Sequence, residues 1–453
     1  MIAKKILVII SYSILTAFIL VGGSFASSDT LTQKNSTQTE TETDNTLPIK
    51  DIQRFAMVIA QIKQYYIQPI NDKTLFTNAI EGMLSRLDPH SAYLDMSGMT
   101  DIEMTTTGKF GGIGIEVMPD DGLIKVVSPL DDTPADRAGI KAGDLIVRVD
   151  NNLVRDMSMR EAINLMRGKK GSKVTLTIIR KDEKKPLKFD IIRDVIKVQT
   201  VKSRILEPGY GYVRISFFQA PAKQDLTAAI NQLTQESGGK LKGLILDLRN
   251  NPGGLLDAAI EVTDTFLDSR NKNKYNNVIV YTKGRIPGAD IKAKASPGDI
   301  LKSTPLIVLI NEGSASASEI VAGALQDHNR AVVLGAKSFG KGSVQTVIPI
   351  DYETGIKLTT ALYYTPAGRS IQATGIVPDI FVADLKIPKT DTDAVVFDPV
   401  AESDLDGHIK NGQPNKSALE KEQVQQEEQA LAQTDYQLYE ALILLKGLHA
   451  ITR

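Results

Sequence analysis

The stretch LIVLINEGSASASEI, residues 306–320, joins an apolar run to a series of alternating serines and alanines. Leu306–Ile310 predicts a buried strand, and the apolar positions between Ser318 and Gln326 predict an amphipathic helix. Small residues at such a junction let a substrate backbone approach closely, and the unpaired amides at a helix N-terminus can bind a developing oxyanion. Serine and alanine are also common at ordinary helix starts. The stretch alone therefore leaves two interpretations open, a serine nucleophile or a simple helix cap.

From Gly209 onward, apolar strands alternate with helical patterns. The predicted strands are Leu244–Leu248, Val278–Tyr281, Leu306–Ile310 and Val332–Leu334, and the predicted helices are Leu255–Leu267 and Ser318–Gln326. This order of elements is typical of an α/β core.

A different pattern of short strands, turns and one helix occupies residues 105–193. Its predicted strands are Ile113–Met118, Ile124–Val127, Leu145–Val149 and Val174–Ile179. Ser158 and Glu161 have the spacing of a capping box, which predicts a short helix that ends at Gly168. These residues are expected to form a separate compact module.

The first residues predict export. Lys4 and Lys5 precede an apolar run from Ile6 to Val21, and Ser24-Phe25-Ala26 supplies the small residues of a cleavage site after Ala26. Because the run is short for a membrane span of about 20 residues, a cleaved signal peptide is favoured over an uncleaved membrane anchor. The expected location is the bacterial periplasm or cell-envelope space, with a membrane tether if the signal is retained.

Polar and helical segments flank the predicted core. Residues 27–45 are almost all polar or acidic, which predicts a flexible tether. Helices are predicted from Ile52 to Tyr66, from Thr74 to Arg86 and, near the end of the chain, from Ser417 to Leu448.

Composition excludes several classes of protein. The net charge is −1 and aromatic residues make up 6% of the chain, so no nucleic-acid-binding surface is indicated. The absence of cysteine excludes a cysteine peptidase and lipoprotein attachment. None of the four histidines has the spacing of a metal site, so neither a metal nor another cofactor is expected. His328 remains an alternative base for a Ser-His-Asp triad, although its Asp-His-Asn-Arg context is typical of a solvated helix end.

Two glycine-containing segments complete the candidate site. Gly335–Gly342 nearly matches a phosphate-binding loop, but Gly342 stands where serine or threonine must hold magnesium, and a strand follows instead of a helix. We therefore reject a nucleotide site and expect the glycines to let Lys341 point inward. Asp247–Gly254 joins a strand to a helix, and its Pro-Gly-Gly turn offers a second group of backbone amides for an oxyanion.

Taken together, these motifs resemble the C-terminal processing (tail-specific) serine peptidases over roughly Ile52 to Asp379. The resemblance is carried by FGGIGIEV at Phe110–Val117, DLRNNPGGLL at Asp247–Leu256, GSASASEIVAGALQD at Gly313–Asp327, SFGKGSVQT at Ser338–Thr346 and YYTPAGRSIQ at Tyr363–Gln372. Several long motifs in the same order are far more specific than any one of them.

The resemblance implies a role for each of five residues. Ser316 is implied as the nucleophile, Lys341 as the general base and Gln345 as the residue that orients the lysine. The amides of Gly254 and Ala317 are implied as the oxyanion hole. The chemistry agrees, because a lysine with an ordinary pKa of about 10.4 must be desolvated to serve as a base near neutral pH.

The module at residues 105–193 resembles a PDZ domain. Gly111, Gly112, Ile113 and Gly114 would form its carboxylate-binding loop, and the turn at Ala135–Asp144 strengthens the match. The implied partners are protein or peptide substrates bound by their C-terminus. The helical flanks correspond to dimerisation elements of the family, so a homodimer or higher homo-oligomer is expected, and an adaptor protein could activate the enzyme.

The expected fold is a multidomain α/β protein in which a PDZ domain precedes an α/β Ser-Lys peptidase core with helical flanks. The predicted parts are a signal peptide (1–26), a flexible linker (27–47), an N-terminal helical region (48–104), the PDZ domain (105–193), the peptidase core (194–395) and a C-terminal helical region (396–453). The predicted function is that of a secreted serine endopeptidase that recognises C-terminal tails. The alternative is a catalytically silent PDZ scaffold that binds chain ends without cutting them.

Overall fold

The computed structural model describes residues 48–130, 132–181, 183–271, 274–286, 290–385 and 427–451. The predicted signal peptide and linker lie outside the described residues, and so do residues 386–426. The chain divides into two compact units, one that ends at Asn71 and one that begins at Asp72. The described part of the first unit contains helix α1 (Ile49–Tyr65), close to the predicted bounds. No helix in the described ranges is both long and apolar enough to cross a membrane.

The second unit begins with three short elements. Their bounds are α2 (Asp72–Ser85), β1 (Ala92–Leu94) and α3 (Met96–Thr107). Helix α2 ends before Asp88-Pro89, as predicted, because proline disfavours helical backbone in the residue before it. The Asp95 side chain caps α3 by accepting from the Gly98 amide at 2.7 Å.

The PDZ-like module is an antiparallel sheet with two helices. Its elements are β2 (Lys109–Gly112), β3 (Ile115–Asp120), β4 (Leu123–Pro129), α4 (Pro134–Ala138), β5 (Leu145–Val149), β6 (Asn152–Leu153), α5 (Met159–Met166), β7 (Lys173–Ile179), β8 (Leu187–Ile192) and β9 (Asp194–Lys197). The main sheet has the order β3-β4-β5-β7-β8, with β6 on β5, while β2 pairs with β9. The capping box predicted at Ser158 and Glu161 is present at the start of α5.

The elements that follow build the α/β core. They are β10 (Val201–Glu207), β11 (Tyr210–Ile215), α6 (Ala222–Glu236), β12 (Gly243–Asp247), α7 (Leu256–Asp264), β13 (Val278–Gly284), β14 (Lys292–Lys294), β15 (Leu306–Ile310), α8 (Ala317–Asp327), β16 (Val332–Gly335), β17 (Ser343–Pro349), β18 (Gly355–Tyr364) and β19 (Ile380–Phe381). One sheet has the order β10-β11-β12-β15-β16-β19 and is parallel from β11 to β19. The segments after β12, β15 and β16 therefore leave the same edge of the sheet, where ligand sites of α/β proteins form.

A second, antiparallel sheet has the order β1-β18-β13-β14, with β17 also paired to β18. The predicted strand at Val278–Tyr281 is β13 and belongs to this sheet, not to the parallel one. Strand alternation in a sequence does not specify the sheet in which each strand pairs. Consequently β17, which carries Gln345, lies in a different sheet from the strand that leads to Ser316.

The predicted C-terminal helix is interrupted in the described residues. Residues 427–434 form helix α9, and α10 spans Tyr436–Ile451. Asp435 lies between them, and its carboxylate accepts from the Leu438 amide at 3.0 Å, which starts a new helix. The prediction of one continuous helix from Ser417 to Leu448 was therefore wrong at Asp435. The apolar side chains of α10 pack on the parallel sheet opposite α6, α7 and α8; they are Leu438, Ala441, Leu442 and Leu445.

Candidate active site

Two loops at the carboxyl edge of the parallel sheet are bonded to each other. The Asn250 amide donates to Asn311 Oδ1 at 2.8 Å, and Asn311 Nδ2 donates to Asn250 Oδ1 at 2.9 Å. The carbonyl of Asn251 accepts from the Ala315 amide at 3.0 Å. These bonds hold the Asp247–Gly254 segment against the serine-rich segment, as the candidate site requires.

The three serines of that segment have different environments. Ser314 and Ser318 are fully buried. Ser314 Oγ donates to the Leu248 carbonyl at 2.8 Å, and Ser318 Oγ donates to the Asn251 carbonyl at 2.9 Å. Ser316, in contrast, is only partly buried. The two outer hydroxyls therefore hold the loops together, and the middle hydroxyl is the accessible one.

Ser316 has a strained backbone. It precedes α8 with φ 55° and ψ −111°, a region that residues with a side chain rarely occupy. A conformation of this kind costs on the order of 1–3 kcal/mol and is often found at functional sites. Gly253 packs directly on it, since a Cβ placed on Gly253 would lie 2.8 Å from the Ser316 Cβ.

Glu319 joins the loop of Ser316 to the loop of Lys341, a contact that the sequence analysis missed. Its carboxylate is fully buried. Oε2 accepts from the amides of Ser316 at 2.7 Å and Lys341 at 2.9 Å. Oε1 accepts from Ser338 Oγ at 2.6 Å and from the Gly340 amide at 2.7 Å. Two bonds to each oxygen occupy all the acceptor sites of a carboxylate.

A signal for Glu319 was present in the sequence. Ser316 and Glu319 have the S-x-x-E spacing of a capping box, and the glutamate does accept from the serine amide. The other donors come from residues 338–341, which only the fold brings to this carboxylate. Within the described residues, no basic side chain lies within ion-pair distance of Glu319.

Lys341 lies in the loop between β16 and β17 and is half-buried. Burial lowers the pKa of its amine, and the positive charge of Lys357 lowers that pKa further, while Glu319 acts in the opposite direction. The Lys341 carbonyl accepts a hydrogen bond from the Tyr363 hydroxyl. Burial raises the pKa of Tyr363 well above its usual range, the charge of Glu319 adds to this rise, and a hydrogen bond with the Ser316 side chain opposes it. Tyr363, which the sequence analysis did not single out, thus lies between the predicted nucleophile and the predicted base.

The amides of Gly254 and Ala317, the predicted oxyanion hole, belong to neighbouring segments of the chain. Ala317 is the first residue of α8, and Gly254 is exposed in the loop between β12 and α7. A Cβ on Gly253 would be 3.1 Å from the Ala317 nitrogen, so the two segments are adjacent. Neither amide donates a hydrogen bond to another described residue; Gly254 is exposed, whereas Ala317 is fully buried.

Gln345 lies on β17 and does not contact Lys341 through a hydrogen bond in the described structure. Its Nε2 donates to Ser343 Oγ at 2.9 Å and to Thr359 Oγ1 at 3.3 Å. The predicted role in orienting the lysine thus has no direct contact to support it.

His328 lies at the opposite end of α8 from Ser316. The helix has 11 residues, so the two ends are separated by about 16 Å at 1.5 Å per residue. His328 Nε2 bonds the Val278 carbonyl at 2.7 Å, and the ring packs edge-on against Tyr275. The expectation of a solvated helix end was wrong, because the ring is partly buried. A triad that includes Ser316 and His328 is excluded by the distance.

The predicted carboxylate loop connects β2 to β3. Gly111 and Gly112 belong to β2, and the amides of Ile113 and Gly114 donate no hydrogen bond to another described residue. The Gly111 carbonyl accepts from the Gly168 amide at 3.0 Å, and a Cβ on Gly111 would lie 2.0 Å from the Gly168 oxygen. Only glycine fits at this contact. Two amides without a hydrogen-bond partner among the described residues therefore lie at this turn, both in buried residues.

Arg193 is buried behind that loop. Its guanidinium donates to the carbonyls of Leu165 at 2.7 Å and Met166 at 3.1 Å, at the end of α5. It also donates to Ser172 Oγ at 3.0 Å and to the Lys173 carbonyl at 2.9 Å. These bonds order the turn that contains Gly168. In the described chain, no carboxylate lies within ion-pair distance of Arg193.

Known families match both parts of this arrangement. Residues 209–382 match the model of peptidase family S41, and residues 111–191 match that of the PDZ domain. The carboxy-terminal-processing protease of Bartonella bacilliformis is 48% identical over 394 residues, which cover 87% of this chain and 88% of that protein. The chain belongs to the carboxy-terminal processing protease family.

Other matches extend the same comparison. The carboxy-terminal processing protease CtpA of Bacillus subtilis is 38% identical over 338 residues, 74% of this chain and 70% of that protein. The solved structure of a photosystem II D1 C-terminal processing protease is 30% identical and covers 73% of this chain and 86% of its own, with a TM-score of 0.42. Residues 14–98 match the N-terminal domain of the activating protease CtpB.

These comparisons confirm the predicted family and fold class. The chain has an S41 peptidase core of α/β type, a PDZ domain and a helical N-terminal region. It is a peptidase of a family that acts on protein C-terminal regions.

Proposed function

We propose that this chain is an exported serine endopeptidase that holds protein tails in its PDZ domain and cuts peptide bonds with a Ser316–Lys341 dyad. The observation that carries the proposal is the contrast within the serine run. Ser316 alone of the three is accessible and strained, while the hydroxyls of Ser314 and Ser318 are used to hold backbone carbonyls. An accessible serine beside unpaired amides suits a nucleophile for acyl transfer, and backbone strain of this kind is often found at functional sites.

The chemistry follows the logic of a serine nucleophile with a lysine base. The neutral amine of Lys341 takes the hydroxyl proton as Ser316 Oγ attacks the scissile carbonyl carbon. The amides of Gly254 and Ala317 donate to the oxyanion that forms. The ammonium then gives its proton to the departing amine, and water hydrolyses the acyl-enzyme by the same steps.

The PDZ domain supplies the selection of chain ends. The unpaired amides of Ile113 and Gly114 can bind the terminal carboxylate of a substrate, and such charge-assisted bonds contribute about 1.5–3 kcal/mol each. The bond that is cut can lie upstream of the tail, because the PDZ domain is separate from the Ser316 site. Metal and other cofactors have no part in this scheme.

Self-association and export complete the proposal. Helix α1 has no buried residue, and the match of residues 14–98 to the N-terminal domain of an activating protease supports a role for this region in homo-oligomer formation or in adaptor binding. Analytical ultracentrifugation of the mature chain, with and without residues 27–71, would test the first; a monomer in both cases would contradict it. Fractionation of cells followed by N-terminal sequencing would test export and cleavage after Ala26.

The decisive experiment compares one unstructured peptide with a free or an amidated C-terminus. Amidation should lower kcat/KM by at least about tenfold, because one charge-assisted bond corresponds to that factor. Ser316→Ala should bind the free peptide and cut neither form. Equal rates for both peptides would contradict the selection of chain ends, and binding without any cutting by the wild type would support the silent scaffold.

A further inference from the structure

A chain of hydrogen bonds joins the turn before β1 to the middle of β17. Asp88 Oδ1 accepts from Thr359 Oγ1 at 3.1 Å, and Thr359 Oγ1 accepts from Gln345 Nε2 at 3.3 Å. Ser91 contacts both Asp88 and Thr359. Its hydroxyl donates to Asp88 Oδ2 at 2.6 Å and accepts from the Thr359 amide at 3.2 Å. The turn therefore reaches a residue of the candidate site from the N-terminal helical region.

The arrangement of the second sheet explains why this contact forms. On one edge of β18, β1 pairs with 355–357 and β13 pairs with 361–364, which leaves Thr359 between them. In that gap, the Thr359 amide donates a hydrogen bond to the Ser91 hydroxyl. On the other edge, Thr359 lies directly opposite Gln345, next to a bulge in the β17–β18 ladder. Directly opposite residues share a face of the sheet, and a bulge re-aims the side chains beside it.

The direction of these bonds sets the orientation of the Gln345 amide. Asp88 is ionised, since hydrogen bonds from the Ser91 hydroxyl and from the amides of His90 and Ser91 lower its pKa to about 2. An ionised carboxylate only accepts, so Thr359 must give its single hydroxyl proton to Asp88 and can only accept from Gln345. Gln345 consequently turns its NH₂ group toward Thr359 and Ser343, and its carbonyl oxygen faces the other way.

The same turn lies close to the predicted base. Burial lowers the pKa of His90, and the positive charge of Lys341 lowers it further, as does that of Lys357. The charged or titratable groups described around Lys341 are His90 on this turn, Lys357 and Tyr363 on β18 and Glu319 on α8.

We propose that Asp88 and Ser91 are positioning residues for the peptidase reaction, which act through Thr359 to fix the orientation of the Gln345 amide. With its carbonyl oxygen away from Thr359, Gln345 can accept a hydrogen bond from the Lys341 amine and leave the lone pair of that amine to Ser316. Without Asp88, the Thr359 hydroxyl can donate to Gln345, and the amide can turn its NH₂ group toward the lysine instead. This inference rests on the proposed Ser316–Lys341 dyad and on a Gln345–Lys341 hydrogen bond in the reacting enzyme, which the described structure does not contain.

A double-mutant cycle tests whether Asp88 acts through Gln345. Asp88→Asn, which preserves shape, should lower kcat by about tenfold or more, as expected for a misoriented catalytic group, and should leave KM unchanged. In a Gln345→Ala background the same substitution should have no further effect on kcat, because the amide that it orients is gone. An equal loss in both backgrounds would overturn the proposal, because a role in stability alone acts in both.

A second set of variants keeps the proposal testable if Gln345→Ala has no measurable activity. Thr359→Val removes the hydroxyl and should lower kcat, whereas Thr359→Ser should restore it. Thr360→Val is the matched control. The Thr360 hydroxyl bonds the Thr346 hydroxyl at 2.7 Å and takes no part in the chain of bonds from Asp88 to Gln345, so this variant should retain wild-type kcat. Thermal unfolding of each variant identifies a loss that comes from misfolding.

The two proposals fail in different ways. Wild-type kcat in a folded Thr359→Val variant would overturn the role of Asp88 and Ser91, while an inactive Ser316→Ala would still support the dyad. Full activity in Ser316→Ala would overturn the dyad itself and this inference with it.

Discussion

The loop at Ser316 and the loop at Gly111–Gly114 both present unpaired backbone amides, but the buried charges behind them are opposite in sign. Behind Ser316, the Glu319 carboxylate accepts four hydrogen bonds. Behind Gly111, the Arg193 guanidinium donates to four oxygens. Each charge is satisfied by backbone groups and hydroxyls, since no ion-pair partner lies close to either in the described residues.

The difference follows from what each loop has to bind. A PDZ loop holds a full carboxylate in its resting complex, so a cation behind it favours the ligand. A peptidase loop meets negative charge only in the transition state, and its lysine must be neutral beforehand. The Glu319 charge opposes that, because it raises the pKa of Lys341, while burial and Lys357 lower it. We infer that the role of Glu319 is to position the two loops, because one of its carboxylate oxygens accepts from the amides of both the predicted nucleophile and the predicted base.

The largest effect should come from the serine run. Ser316→Ala should lower kcat by a factor on the order of 10⁶ if the dyad acts as a unit. Ser314→Ala and Ser318→Ala should keep substantial activity but lower the free energy of unfolding by about 0.5–1.5 kcal/mol, because each removes one buried hydrogen bond to a backbone carbonyl. Peptide cleavage and urea unfolding of the three variants would measure both. A dead Ser318→Ala with an active Ser316→Ala would contradict the assignment.

Glu319→Gln should be the next most damaging change. The glutamine amide keeps the shape of the side chain, but its NH₂ group would face hydrogen-bond donors, because all four partners of Glu319 donate. One of the two loops must therefore move away. A displacement of about 1 Å can lower kcat by about 10². The rate constant for cleavage should fall in this way while KM for a tailed peptide stays the same. Glu161→Gln, the same substitution at the capping box of α5, is the control and should cut normally.

Arg193→Met should affect the other loop. Loss of the guanidinium leaves the carbonyls at the end of α5 without donors and loosens the turn that holds Gly111. KM for a peptide with a free C-terminus should rise by about tenfold, the value of one charge-assisted bond. The rate at saturation should be preserved, because Ser316 and Lys341 are untouched. A fall in kcat with unchanged KM would contradict the separation of the two loops; Arg148→Met, on the exposed side of β5, serves as control.

Local signals account for what the sequence predicted well. The strands at Leu145–Val149 and Leu306–Ile310 were predicted with the observed bounds, because each is a short stretch rich in β-branched and aliphatic residues between turn residues. The capping box at Ser158 was predicted because its two partners are three residues apart. Ser316 and Lys341 were chosen by resemblance to a family. The structure adds a physical reason for the choice of Ser316, namely its accessibility and its strained backbone.

Long-range contacts account for what the sequence did not reveal. Glu319 showed only a helix-start pattern, because its other donors come from a loop that β16 brings to it. Asp88 is separated from Thr359 by 271 positions, and no periodicity relates the two. Asp435, at the break between α9 and α10, also accepts from the Arg249 guanidinium at 2.7 Å, a partner 186 positions away. In each case the partner is set by sheet register or helix docking, which a single sequence does not specify.

The smallest expected effect comes from Lys357, and it tests how the peptidase site offsets the rise in the pKa of Lys341 that the Glu319 charge causes. Lys357 lowers the pKa of Lys341, so Lys357→Met should raise that pKa toward its usual range. A base must be neutral to accept a proton, and a higher pKa means that the neutral form appears only at higher pH. The rising limb of the pH profile of kcat should therefore move to higher pH in Lys357→Met, while the plateau at high pH stays the same.

Lys357→Arg is the matched control, since it keeps the positive charge and should keep the limb in place. His90 does not disturb this measurement, because burial and the Lys341 charge lower its pKa and it is neutral in the alkaline range. Kinetics from neutral to alkaline pH on one free-tailed peptide would show the shift. An unmoved limb would mean that burial alone prepares the lysine, and a lower plateau would mean that Lys357 also helps to place it. An unmoved limb would show that the Lys357 charge does not offset the effect of Glu319 on the pKa of Lys341. Desolvation of the amine would then be the effect that offsets it.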